Sequence, residues 1–206
     1  MRMEMRQIFK AAVVAGIIFH IMILVHLFTG FLAPLSHDMT LFREIRGVDF
    51  NAVYMAGYYI RSGESLYRVP TQDEGIPHTR FRYPPPAAWI VGLPASLIPK
   101  RHYALGGIMW AVLLECLLIL NINLSIRHAG KGAPPVVLAA FWLLFFPFAV
   151  EMHMGQFSFL AGCFIFWSAL ALRRERPGLA VLLWIPAVLL KIYPFLLVPV
   201  YVRRAG

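Results

Sequence analysis

The chain has 206 residues, 60% of them hydrophobic, and a formal net charge of +9. Its mean hydropathy of +0.69 and its long apolar runs exclude an ordinary soluble domain. The basic residues come as small clusters at the ends of those runs, so the excess charge reads as membrane topology and not as a nucleic-acid footprint.

Residues 1–10, with Arg2, Arg6 and Lys10, form a cytoplasmic tail. Residues 11–35 lack Asp, Glu, Lys and Arg and are long enough to cross a hydrocarbon core of about 30 Å. No small-x-small cleavage site follows, so this run reads as a retained signal anchor and first transmembrane helix. His20 and His26 lie on different faces of it, are no metal pair, and are expected to be neutral and satisfied.

Residues 36–84 break the pattern. Six of the ten acidic residues fall here (Asp38, Glu44, Asp49, Glu64, Asp73 and Glu74), balanced by arginines, which places the loop outside. Phe50, Val53, Tyr54, Gly57 and Ile60 follow helical spacing, and tyrosines at 54, 58 and 59 suit a helix lying flat at the membrane interface. Ser62 and Gly63 end it. Asp49 stands at its start, as an N-cap, as a catalytic carboxylate, or as both. Glu64, Asp73 and Glu74 fall in Gly-, Ser- and Pro-containing stretches that look solvated.

The remaining transmembrane and re-entrant helices occupy 85–204. Residues 84–99, interrupted by Pro94, are too few for a comfortable span. They form either a re-entrant or interfacial piece, or a short tilted helix that takes Lys100 and Arg101 to the cytoplasm. Apolar runs follow at 103–126, 136–150, 157–172 and 179–202. Backbone groups in lipid must be satisfied within the segment, so these are helices. The fold class is all-α: a polytopic transmembrane helical protein with a large extracytoplasmic first loop carrying juxtamembrane helices.

Glu115, in the middle of a span, is expected to be neutral and buried or paired with a basic residue on a neighbouring helix. Residues 151–156 read as an outer hairpin bringing Glu151, His153 and Gln156 close together. The last run contains Pro186, Pro194, Pro199 and, among them, Lys191. Two half-helices meeting near Lys191 would reconcile the prolines with the basic ends of the run. A cation within an apolar run costs at least about 2.5–3.5 kcal/mol on insertion scales and is usually functional or paired. Snorkelling to an interface is the alternative, and a phosphate is the natural partner. Cys116 and Cys163 lie in apolar runs and offer neither a disulfide nor a metal framework.

Three stretches carry a resemblance: GVDFNAVYMAGYYIRSGESLY (47–67), FRYPPPAAWIVGLPASLIP (81–99) and MGQFSFLAGCFIFWSALALRRERPGLAVLLWIPAVLLKIYP (154–194). In this order they resemble glycosyltransferase family 87, polytopic GT-C enzymes that include polyprenyl-phosphomannose-dependent α-1,2-mannosyltransferases. The resemblance implies transfer of a mannose-like hexose, with inversion, from a polyprenyl-phosphate donor to a glycan or glycolipid acceptor. This would occur on the extracytoplasmic side of a multi-pass bacterial cell membrane protein. It implies Asp49 as the catalytic carboxylate, places Gln156 and Lys191 in the site region, and puts Tyr83 where the loop re-enters the membrane. Arg80, Arg82 and His153 are further candidates for substrate binding. No metal ligand and no cofactor beyond the lipid-linked donor are implied, and the partners are the donor, the acceptor and membrane lipids. Such enzymes are longer, with more helices after the Lys-x-x-Pro segment, so the chain is expected to be an N-terminal fragment. The competing classes are a transporter for an anionic or lipid-linked substrate, built around the same broken helix, and an inactive membrane subunit.

Overall fold

The computed structural model describes residues 3–29, 47–69, 71, 75–76, 79–130 and 133–205. The end of the first apolar run at 35, the acids Asp38, Glu44, Asp73 and Glu74, and Lys131 lie outside the described residues. Among those described, every regular element is helical and no strand occurs. Two helices are long and apolar enough to cross a membrane, or three if one bent pair is a single span. The chain divides into two compact units, residues 1–46 with 108–154, and residues 47–107 with 155–206.

The first unit contains α1 (Met3–Thr29), most of α5 (Tyr103–His128), α6 (Pro135–Leu143) and α7 (Phe146–Met154). The apolar run 136–150 is not one straight helix. It breaks at Leu144 and Phe145, and α6 and α7 are bent by 41°. Pro147 accounts for this, because it cannot donate a backbone hydrogen bond and restricts the residue before it. α7 runs to Met154, so Glu151 and His153 are helical and the expected hairpin is shorter than its polar residues suggested.

Glu115 has a partner. His20 places Nδ1 2.9 Å from the Glu115 carboxyl and Nε2 3.0 Å from the Leu143 carbonyl. A carbonyl can only accept, so Nε2 carries a hydrogen, and one further proton between Nδ1 and the carboxyl satisfies both groups. The mid-span acid is thereby matched inside the unit. Gly16 permits the close approach of α1 to α6, since a Cβ there would lie 2.6 Å from Leu143 Cβ.

The second unit is built on α2 (Val48–Arg61), a short helical segment, and a helical hairpin. The short segment runs through α3 (Pro85–Ala87), a π-helical turn (Ala88–Gly92) and α4 (Leu93–Ala95). α2 crosses it backbone to backbone. A Cβ on Gly57 would stand 2.0 Å from the Gly92 carbonyl oxygen, and one on Gly92 would stand 2.3 Å from that of Val53. Tyr54 donates to the Ile98 carbonyl at 2.6 Å and Arg61 to that of Ser96 at 2.6 Å, fixing the chain where it turns back. Lys100 then lies over the ring of Tyr58, 4.3 Å from its centre.

α2 was expected to lie flat with one face in the interface. Instead Phe50 to Gly57 are buried on every side. Gly57 accepts the Gly92 and Leu93 backbone where any side chain would collide. The carboxyl end of α2 follows expectation: Ser62 caps it, Gly63 takes a left-handed φ of 71°, and the Glu64 amide closes onto Tyr59.

α8 (Ser158–Arg173) and α9 (Pro177–Leu190) form the hairpin. Ala171 and Ala180 are buried at their contact, and Ser168 donates to the Ala180 carbonyl. α9 stops at Lys191, whose backbone is extended (φ −144°, ψ 138°). A 3-10 turn (Tyr193–Leu197) and α10 (Val198–Ala205) follow, so the last apolar run is broken at Lys191. Trp184 ties the two pieces together by donating to the Pro194 carbonyl at 2.9 Å.

Candidate functional site

Asp49 sits one residue inside α2, half-buried, in the first turn. It is not the N-cap. Gly47 holds that position with a left-handed φ of 70°, and its carbonyl accepts from the Asn51 amide at 2.7 Å. A left-handed residue is easily supplied by glycine, so the helix begins at Val48 and leaves the Asp49 carboxylate free of the capping role. It still stands at the positive end of the helix dipole.

The turn after α7 lies directly on this helix start. Gly155 has φ +67°, and a Cβ there would come within 2.6 Å of Phe50 Cβ, 3.1 Å of the Phe50 amide nitrogen and 3.2 Å of Gly47 Cα. Only a residue without a side chain fits, and this puts Gln156, half-buried, beside the amino end of α2. Phe157 is fully buried, and its ring meets Tyr83 edge to face at 5.2 Å. Tyr83 in turn presents its face to Lys191, whose Nζ is 4.8 Å from the ring centre. A cation so placed over an aromatic face gains about 0.5–2 kcal/mol and loses much of its freedom. Lys191 is therefore held beside Tyr83.

Within one unit, residues 155–157 thus link the Asp49 helix start to the Tyr83–Lys191 pair. The hairpin explains why: the start of α8 and the end of α9 lie at the same end of an antiparallel pair. The other candidates are placed differently. Arg80 is exposed, and its Nε donates to the Tyr67 carbonyl at 3.1 Å, bracing the loop. Arg82 is exposed. Tyr67, Phe81 and Tyr83 form a run of ring contacts at 5.7 and 6.1 Å. His153 belongs to the first unit, where it is buried and its ring stacks on His26 at 5.8 Å.

Sequence reasoning missed Gly155, Phe50 and Phe157 as the parts that join these groups. The available signal was a glycine immediately after an apolar helix with a polar residue and an aromatic behind it. Among the described residues no three His, Cys, Asp or Glu side chains are gathered to hold a metal ion. The arrangement offers a carboxylate that can accept a proton and a positioned ammonium that can meet an anion.

Residues 81–205 match the sequence model of glycosyltransferase family 87. The match includes Tyr83, Gln156 and Lys191 and leaves Asp49 and α2 outside it. No curated protein and no solved structure matches the chain.

Proposed function

The chain belongs to glycosyltransferase family 87 and is a membrane glycosyltransferase, and from that premise we propose that it moves a mannose-like hexose from a polyprenyl-phosphate donor to a glycan or glycolipid hydroxyl. The observation that carries this reading is the pairing, in one unit, of the Asp49 helix start with the Tyr83-held Lys191 through Gly155, Gln156 and Phe157. Asp49 takes the proton from the acceptor hydroxyl as its oxygen attacks the anomeric carbon. The bond between that carbon and the phosphate oxygen breaks. Lys191 meets the charge that develops on the departing phosphate, and Gln156 orients the sugar between the two. A single displacement inverts the anomeric centre, so a β-linked donor gives an α-linked product.

The same hairpin supports an extracytoplasmic site. Arg173, Arg174 and Arg176 mark its closed end, and the positive-inside bias puts that end in the cytoplasm. α8 spans 16 residues, so Phe157 and Lys191 stand roughly 24 Å away, at the extracytoplasmic level of a multi-pass cell membrane protein. Lys100 over Tyr58 supports the re-entrant reading of 84–99, because the segment comes back to the helix of the outer loop.

Lys191→Met tests the donor contact. Losing a charge-assisted contact to phosphate should weaken equilibrium binding of polyprenyl-phosphomannose about 10- to 100-fold. Lys191→Arg, which keeps both the charge and the stacking on Tyr83, should retain most of it. Donor binding by a folded Lys191→Met protein equal to that of the parent would reduce Lys191 to an anchor.

A further inference from the structure

The second unit carries a cationic rim that the transfer reaction does not use. Arg61 and Tyr58 stand one turn apart near the carboxyl end of α2. Lys100 rests on the Tyr58 ring, Arg61 is fixed by its bond to the Ser96 carbonyl, and Arg101, next in the chain, is exposed. Among the described residues none of the three makes an ion pair, whereas Arg68 nearby is paired with Glu64. The residues leading to this rim are apolar and exposed: Trp89 at 54%, Ile90 at 52% and Leu97 at 70%.

We propose that Arg61, Lys100 and Arg101 bind the headgroup of an anionic phospholipid whose acyl chains lie along Trp89, Ile90 and Leu97. Apolar side chains followed by basic residues match a lipid across its depth, with tryptophan at the level of the interface. The position of the rim sharpens the point. Cations on the outer side run against the positive-inside bias, and an anionic headgroup supplies the compensating charge. Lys100 and Arg61 are already held by an aromatic face and a carbonyl, so little freedom is lost when a phosphate arrives. The inference stands whichever sugar is transferred.

The test reads the lipid beside Trp89. The protein is placed in phosphatidylcholine nanodiscs containing a minor fraction of phosphatidylglycerol with brominated chains. Quenching of Trp89 is obtained by difference from Trp89→Phe. Brominated phosphatidylglycerol should be enriched at Trp89 over its bulk share by about fivefold for each cation engaged. The Lys100→Gln/Arg101→Gln protein should fall to the roughly fivefold enrichment that Arg61 alone supports, while Arg173→Gln/Arg174→Gln should keep the parent's enrichment. Quenching of the parent at bulk share overturns the proposal, as does parent-level enrichment that persists in Lys100→Gln/Arg101→Gln. Abolition of the enrichment by millimolar inorganic phosphate would show a soluble-anion site and overturn it equally.

Discussion

Asp49→Asn is expected to lower sugar transfer by about 10²- to 10⁴-fold, the contribution of a positioned general base. The fold should survive, because the cap of α2 is Gly47 and Asp49 contributes no capping bond. Asparagine matches aspartate in size and fills the same half-buried place, so Tyr54, Arg61 and the Gly57 crossing are undisturbed. The check is initial rate at saturating donor, with thermal unfolding in detergent measured beside it. Asp49→Asn transferring within a few-fold of the parent would remove Asp49 from the chemistry.

Gly57→Ala should be the most damaging single methyl in the second unit. The added Cβ meets the Gly92 oxygen at 2.0 Å, the Gly92 carbon at 2.1 Å and the Leu93 nitrogen at 2.6 Å. All three are backbone, so no side-chain rotation relieves the overlap. α2 must lift from residues 85–95, and the Tyr54–Ile98 and Arg61–Ser96 hydrogen bonds go with it. Overpacking costs about 1–3 kcal/mol where neighbours can shift, and this site belongs at or above the upper end. Gly162→Ala is the control. It lies inside α8 with nothing within 4 Å of its Cβ position, and alanine there should be neutral or stabilising by up to about 1 kcal/mol. Equal melting temperatures for the two variants would contradict the backbone crossing.

Features that rest on local chemistry were legible in the sequence. Three prolines around one lysine announced a broken helix, and the chain breaks at Lys191. A carboxylic acid inside an apolar run had to be either neutral and buried or paired with a neighbouring helix, and His20 is its partner. Ser62 and Gly63 ended α2 as their chemistry requires. Features that depend on neighbours far along the chain were not legible. Asp49 before a periodic run looks like a cap, but the cap is the left-handed Gly47 and the helix starts two residues earlier. The tyrosines of α2 suggested a half-exposed interfacial helix, yet its burial comes from segments elsewhere in the sequence that no local period encodes. The role of Gly155 follows only from the contact it makes with Phe50 and Gly47.

The most direct measurement of the central claim is a donor comparison with the purified protein reconstituted in lipid. Labelled mannose is offered as polyprenyl-phosphomannose or as its nucleotide-activated form, together with a mannoside acceptor. The account predicts an α-linked product from the lipid-phosphate donor alone, lost in Asp49→Asn. Transfer from the nucleotide sugar in place of the lipid donor would contradict it, as would movement of the lipid-linked sugar across the bilayer with no product formed.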